Sequence, residues 1–218
     1  MQQGQHMIIL IGGEKGGSGK SCLAQNLAVY LQQQGRDVLL IDADPQATSA
    51  DWAEQRSNNP TLKKLPYAKL TGKIHEPIRD FASRYQDVLI DAGGQDSAAL
   101  RSAMIVATHM LLPFRPKRRD LKTLEHAAVL LDQAQAINPA LKARAIITQC
   151  PTLPSQANRV LESKAVCNAF GIEALNAITM QRNIYDDADE NGLSVLDTQA
   201  DEKAKAEIQE IAREFLGV

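Results

Sequence analysis

The chain has 218 residues, 44% hydrophobic and 23% charged, with a formal net charge of −2. That length suits one well-buried α/β domain better than two, and the near-neutral balance excludes a global positive field, so any nucleic-acid contact must come from a local patch. The cysteines Cys22, Cys150 and Cys167 lack CxxC spacing and lie in or beside apolar segments, which argues for buried thiols in a reducing compartment rather than a disulfide framework or zinc site.

In chain order, the opening MQQGQH (1–6) is polar and patternless. It is expected to be an expression remnant or a disordered lead, with a single domain over 7–218. Apolar runs then alternate with amphipathic segments. A strand at 7–12 leads through a glycine-rich loop to a helix at 20–34. Strands at 37–42, 67–70, 87–92, 109–114, 143–149 and 171–175 follow, interleaved with helices at 46–57, 74–84, 96–107, 120–137 and 155–169. Helices at 182–190 and 201–216 complete the chain. This alternation is the signature of βαβ units, so the expected fold is α/β: a doubly wound, mostly parallel sheet with helices on both faces. No window reaches the roughly 18 apolar residues of a membrane span, and no signal sequence is present, so a cytoplasmic protein is expected.

The most informative segment is GGEKGGSGKS, residues 12–21. A glycine-rich turn between a buried strand and a helix N-terminus presents backbone N–H groups and a helix dipole to an anion. Gly16, Gly17 and Gly19 would let the backbone approach phosphates, with Ser18 between them. Lys20 would reach the outer phosphates and Ser21 would ligate Mg²⁺, and the nucleotide-binding stretch is expected to run from Glu14 to Cys22. Two features depart from the usual pattern: Glu14 stands where a glycine is expected, and Lys15 is an additional lysine. On the entry limb Lys15 is poorly placed for its own nucleotide. It either serves a neighbouring subunit's or is a solvated surface lysine.

Two acidic strand ends join the loop. VLLIDADPQ places Asp42 and Asp44 two residues apart, on one face at the carboxyl end of a strand, where ligands bind in such sheets. The alternative is that Asp-Pro here starts a turn or caps a helix. In VLIDAGGQDS, three apolar residues deliver Asp91 to the same edge, where a carboxylate can hold Mg²⁺ through water. Gly93 and Gly94 follow.

The pattern xKGGxxK[ST] resembles the deviant Walker A motif of the ParA/MinD family of P-loop ATPases, and DADPQ resembles that family's second motif. The glycines after Asp91 resemble the short ParF-type branch. The resemblance implies that Lys15 acts in trans, reaching the phosphates held by the other subunit of a nucleotide-sandwich homodimer. It also implies that Asp44 orients the attacking water and Asp42 supports the Mg²⁺ shell. By position in the family, Thr148, Gln149 and Arg182 flank the adenine. Arg182 has an alternative in pairing with the acidic cluster Asp186, Asp187, Asp189 and Glu190.

PFRPKRRD concentrates Arg115, Lys117, Arg118 and Arg119 on one loop. It reads as an electrostatic foot for DNA phosphates, or as a solvated loop or a contact with an acidic surface of a dimer mate. The last helix places Ile208, Ile211, Ala212 and Phe215 on one stripe. Its excess of acids is the wrong sign for anionic lipid, so it is expected to pack on the domain rather than on a membrane. The resemblance thus implies a partition ATPase using ATP/ADP and Mg²⁺: ATP drives dimerisation, the dimer binds DNA nonspecifically on the nucleoid, and a small centromere-binding protein stimulates slow hydrolysis. The alternatives are a MinD-like or other cargo-positioning ATPase, and a metabolic enzyme on the same scaffold.

Overall fold

The computed structural model describes residues 6–94 and 96–218. The expectation for the opening segment therefore lies, apart from exposed His6, outside the described residues. The strands are β1 (Met7–Ile11), β2 (Val38–Ala43), β3 (Tyr67–Lys69), β4 (Asp87–Ala92), β5 (His109–Phe114), β6 (Lys142–Cys150) and β7 (Ala174–Met180). They form one sheet in the order β3-β2-β4-β1-β5-β6-β7, with parallel pairings throughout. The helices are α1 (Lys20–Gln33), α2 (Thr48–Asn58), α3 (His75–Ala82), α4 (Ala98–Met104), α5 (Arg118–Leu121), α6 (Leu124–Ile137), α7 (Ala157–Ala169), α8 (Ile184–Asp189) and α9 (Glu202–Leu216).

Helices cover both faces of the sheet, which is why β2, β4 and β5 are buried at every position. Because side chains alternate along a strand, Leu10 enters the core beneath α3, α4, α6 and α7, while Ile9 and Ile11 enter the core beneath α1, α2 and α9. The doubly wound α/β arrangement expected from the sequence is thus the one observed. Register then sets the functional edge. Asp42 pairs with Asp91 across β2 and β4, and Asp91 with Ile11 across β4 and β1, so both carboxylates stand beside the exit of β1.

Two boundaries differ from expectation. The last strand was expected at 171–175 but runs Ala174–Met180. Gly171, at φ 77, closes α7, with Ile172 N–H donating to the Cys167 carbonyl at 3.1 Å. The strand starts beyond that closure and alternates in exposure, as an edge strand does. The helix expected at 120–137 is two pieces, α5 and α6. Between them the Thr123 hydroxyl donates to the Asp120 carbonyl at 2.8 Å, the local side-chain bond that competes with helical continuation.

The stripe on α9 is buried as expected: Ile208, Ile211, Ala212 and Phe215 pack in the core shared with α1 and β7. Among the described residues no helix is long and apolar enough to cross a membrane. All three cysteines are free, with Cys150 and Cys167 buried and Cys22 half-buried.

Candidate active site

β1 delivers the chain to Gly12, and Gly19, at φ 88, turns it into α1 through a left-handed conformation that glycine adopts readily. Lys20 is the first helical residue and is only 6% exposed; its Nζ donates to the Lys15 carbonyl at 2.8 Å. Burial holds this ammonium below the ordinary lysine value, against the opposing pull of Asp91 and Asp44, and Arg115 repels it further. An anion arriving here would relieve that penalty.

The loop is braced from β6. The Thr148 hydroxyl donates to the Ser18 carbonyl at 2.8 Å, and Gln149 Nε2 donates to the Gly17 carbonyl at 2.9 Å. Thr148 and Gln149, expected beside the base, use these side-chain groups to hold the phosphate loop. Gln149 sits at φ 50, a left-handed conformation uncommon for a residue with a side chain.

Asp91 is fully buried. Ser49 Oγ donates to its Oδ2 at 2.6 Å, whereas its Oδ1 has no hydrogen-bond partner among the described residues. Burial pushes its carboxyl up to about 7, with the Ser49 and Ser21 hydroxyls and Lys20 opposing and Asp42 reinforcing. Asp42 is differently used. Its Oδ1 accepts the Asp44 backbone N–H at 2.9 Å and its Oδ2 accepts that of Ala50 at 2.8 Å, so it shapes the turn into α2. Burial raises its carboxyl, with those backbone donors opposing. Asp44 is half-buried, accepts the Gln46 N–H at 2.9 Å, and packs against Gly93. Gly94 closes the other side: a β-carbon there would stand 3.0 Å from Gly16 N and 3.2 Å from Lys20 Nζ.

These groups line one cleft of about 590 Å³, containing Gly16, Gly17, Gly19, Lys20, Ser21, Cys22, Asp44, Gly94, Thr148, Gln149 and Arg182. Tyr185, Asp186 and Met180 complete its far wall. Among the described residues Arg182 does not pair with the acidic cluster. Its Nε donates to Glu207 at 2.9 Å and its Nη1 to Asp201 at 3.4 Å, both on or beside α9. Glu14 is bound to His126 of α6. The Lys15 side chain is half-buried and makes no ion pair among the described residues, although its carbonyl anchors Lys20.

The basic loop divides. Lys117, Arg118 and Arg119 are exposed, but Arg115 turns inward and binds Asp120 through Nε and Nη2 at 2.7 and 3.0 Å. Arg115 is therefore removed from the expected outward patch, because a buried carboxylate captures it.

A buried cation at a helix N-terminus, carboxylates at neighbouring strand ends and a glycine-lined approach form a site for a phosphorylated ligand with a divalent cation. The model of the CobQ/CobB/MinD/ParA nucleotide binding domain matches residues 9–213. The chain belongs to this family. Within the ParA/MinD group, it is 28% identical to maintenance of carboxysome distribution protein A of Halothiobacillus neapolitanus, over 99% of both chains. It is 26% identical to the chromosome-partitioning ATPase Soj of Thermus thermophilus, over 64% of this chain and 67% of that one. The fold is shared with McdA of Cyanothece in its ATP complex, at TM-score 0.80 and 15% identity over 99% of this chain and 98% of that one. It is also shared with MinD of Pyrococcus furiosus, at TM-score 0.72 and 19% identity over 98% and 99%.

For a ParA/MinD-type chain the unpartnered Asp91 Oδ1 is informative. A buried carboxylate oxygen beside Ser21 and Lys20 fits a hydrated Mg²⁺, so the donor set agrees with the metal expected at Ser21 and Asp91. Asp42 stands beside this set with both oxygens accepting backbone N–H groups of the turn into α2. Ser49, Tyr185 and Asp120 were not singled out in the sequence. Ser49 carried a faint signal in its place just after DPQ, and the other two carried none.

Proposed function

We propose that this chain is an ATP-hydrolysing switch that dimerises on ATP and positions a cargo on nonspecific DNA. The observation that carries this reading is one cleft on the phosphate loop lined by Lys20, Ser21, Asp44 and Gly94, with the buried Asp91 carboxylate acting on Lys20 and Ser21 from beneath it. Lys20 and the loop N–H groups would bind the β- and γ-phosphates. Ser21 and Asp91 would hold Mg²⁺, which when bound neutralises phosphate charge. Among the described residues the Asp44 carboxylate accepts one backbone N–H, that of Gln46, and it lines the cleft, so it would orient the attacking water. Gly94, touching both Gly16 and Lys20, would report whether a γ-phosphate is present.

Lys15 supports the dimer. Its own carbonyl bonds Lys20, while its side chain has no ion partner among the described residues and adjoins the exposed Gly16 and Gly17. A twin chain's phosphates are the natural anion for it. Hydrolysis would be slow until the dimer and a partner complete the site.

Two cargoes are compatible with the cleft. DNA partition, with a small centromere-binding partner, is supported by the Soj and ParA relatives. A protein body is favoured by coverage: two relatives named for carboxysome distribution match over 99% and 95% of this chain, against 82% for the ParA of Rhizobium radiobacter.

The test is mass in solution and duplex-DNA binding with ATP, ADP or no nucleotide, on the parent chain and Lys15→Gln. The parent should dimerise and bind DNA only with ATP. Lys15→Gln should bind ADP as the parent does and remain monomeric with ATP; an unchanged dimer would remove the trans role.

A further inference from the structure

A cation assigned by sequence to DNA stands against the phosphate loop. Arg115 directly follows β5, the neighbour of β1, so it leaves the sheet at the edge from which the loop springs. Asp120 grips it: Nε donates to Oδ2 at 2.7 Å, Nη2 donates to Oδ1 at 3.0 Å, and the Arg115 backbone N–H lies 3.3 Å from Oδ2. Asp120 is 1% exposed, so the fork is fixed by a carboxylate almost wholly shielded from water.

The grip leaves Nη1 without a partner among the described residues, and it stands over the loop. A β-carbon built on Gly17 would be 3.5 Å from it. A purely structural ion pair accounts for Nε and Nη2 but gives no reason for Nη1 to face an exposed glycine of an anion-binding turn. Its charge also bears on the loop lysine, since Arg115 is among the groups that lower the Lys20 ammonium. Two cations brought together in this way repel each other until a polyanion lies between them.

We propose that Arg115 is a second phosphate-loop cation supplied by the same chain, oriented by Asp120, and directed at the phosphate chain of the bound nucleotide rather than at DNA. The inference rests on the nucleotide reading of the cleft. It assigns Asp120 as a positioning residue and leaves the outward patch to Lys117, Arg118 and Arg119.

The experiment compares the affinities of fluorescent ATP, ADP and AMP for monomeric parent, Lys20→Ala, Arg115→Lys, and the double variant Arg115→Gln with Asp120→Asn. The double variant removes the buried carboxylate charge together with its partner, and its melting temperature without nucleotide checks the fold. Loss of one charge-assisted contact predicts ATP and ADP binding on the order of tenfold weaker, with AMP little altered. Arg115→Lys keeps the charge and should show the same preference in smaller measure, which serves if the double variant melts early. Parent-like ATP and ADP affinities in both variants would overturn the inference, as would a defect confined to the ATP dimer. If Lys20→Ala also binds ATP like the parent, the nucleotide reading itself fails; if only that variant loses ATP, the reading stands and the role of Arg115 does not.

Discussion

Ser49 Oγ donates to Asp91 Oδ2 at 2.6 Å, across the 42 residues that separate the start of α2 from the end of β4. One oxygen of the buried carboxylate is thereby fixed, the other has no hydrogen-bond partner among the described residues, and Ser21 and Lys20 both favour the ionised carboxyl. The bond favours the ionised form, so Ser49→Ala should move the Asp91 carboxyl above its present value of about 7. Mg²⁺-dependent ATP binding should then lose its acid limb at a higher pH than in the parent. Calorimetric titration of Mg-ATP across the neutral range measures that midpoint, and an unshifted midpoint would contradict the role given to Ser49.

The same carboxylate sets a stability profile. An unfolded aspartate titrates near about 3.9, whereas Asp91 in the folded chain titrates at about 7, so between these values the folded state holds more protons. Stability without nucleotide therefore falls as pH rises through that window, because ionisation must occur in a buried site. Asp91→Asn removes this slope. It should be more stable than the parent above neutrality, by on the order of a few kcal/mol, and so melt higher, while losing Mg²⁺-dependent binding. Melting curves at several pH values decide it; a variant less stable than the parent at alkaline pH would show that Asp91 is not carrying a buried charge.

Gly93 and Gly94 are adjacent but meet different groups, which separates two functions. A β-carbon on Gly94 would press on Gly16 N at 3.0 Å and Lys20 Nζ at 3.2 Å, so Gly94→Ala should weaken ATP binding itself. A β-carbon on Gly93 would meet the Asp44 carboxylate at 3.1 Å, so Gly93→Ala should leave ATP affinity close to the parent's and lower turnover. Parallel measurements of affinity and phosphate release test the split, and a Gly93→Ala enzyme with parental turnover would remove Asp44 from the hydrolytic step.

The sequence made the sheet legible because continuous apolar runs such as VLLID and VLIDA have few other uses in a short chain, and glycine and lysine in the loop are tied to backbone shape. What it hid was side-chain direction. Thr148 and Gln149 stand at the expected strand end and reach back to the loop carbonyls, and the Asp42 carboxylate also holds the backbone of the turn into α2. Arg115 and Lys117 are two residues apart in one basic run, and only the buried Asp120 separates their roles. No periodicity reports such a capture. The last strand was displaced for a similar reason, since the closing turn at Gly171 is set by how α7 ends.

That capture alters what salt should do to DNA binding. Four engaged cations would give a slope of log K against log salt of roughly −3.6 per subunit, and the three exposed ones, Lys117, Arg118 and Arg119, give roughly −2.7. These side chains make no ion pair among the described residues, so each is available to a phosphate. Replacing all three by alanine should flatten the slope by about that amount and leave ATP affinity and ATP-driven dimerisation in place. Anisotropy of a labelled nonspecific duplex, titrated with the ATP-loaded dimer over a salt series, measures it. If the triple variant keeps the parental slope, the DNA-facing surface lies elsewhere on the dimer. If Arg115→Gln flattens it by one further phosphate, Arg115 reaches DNA despite Asp120.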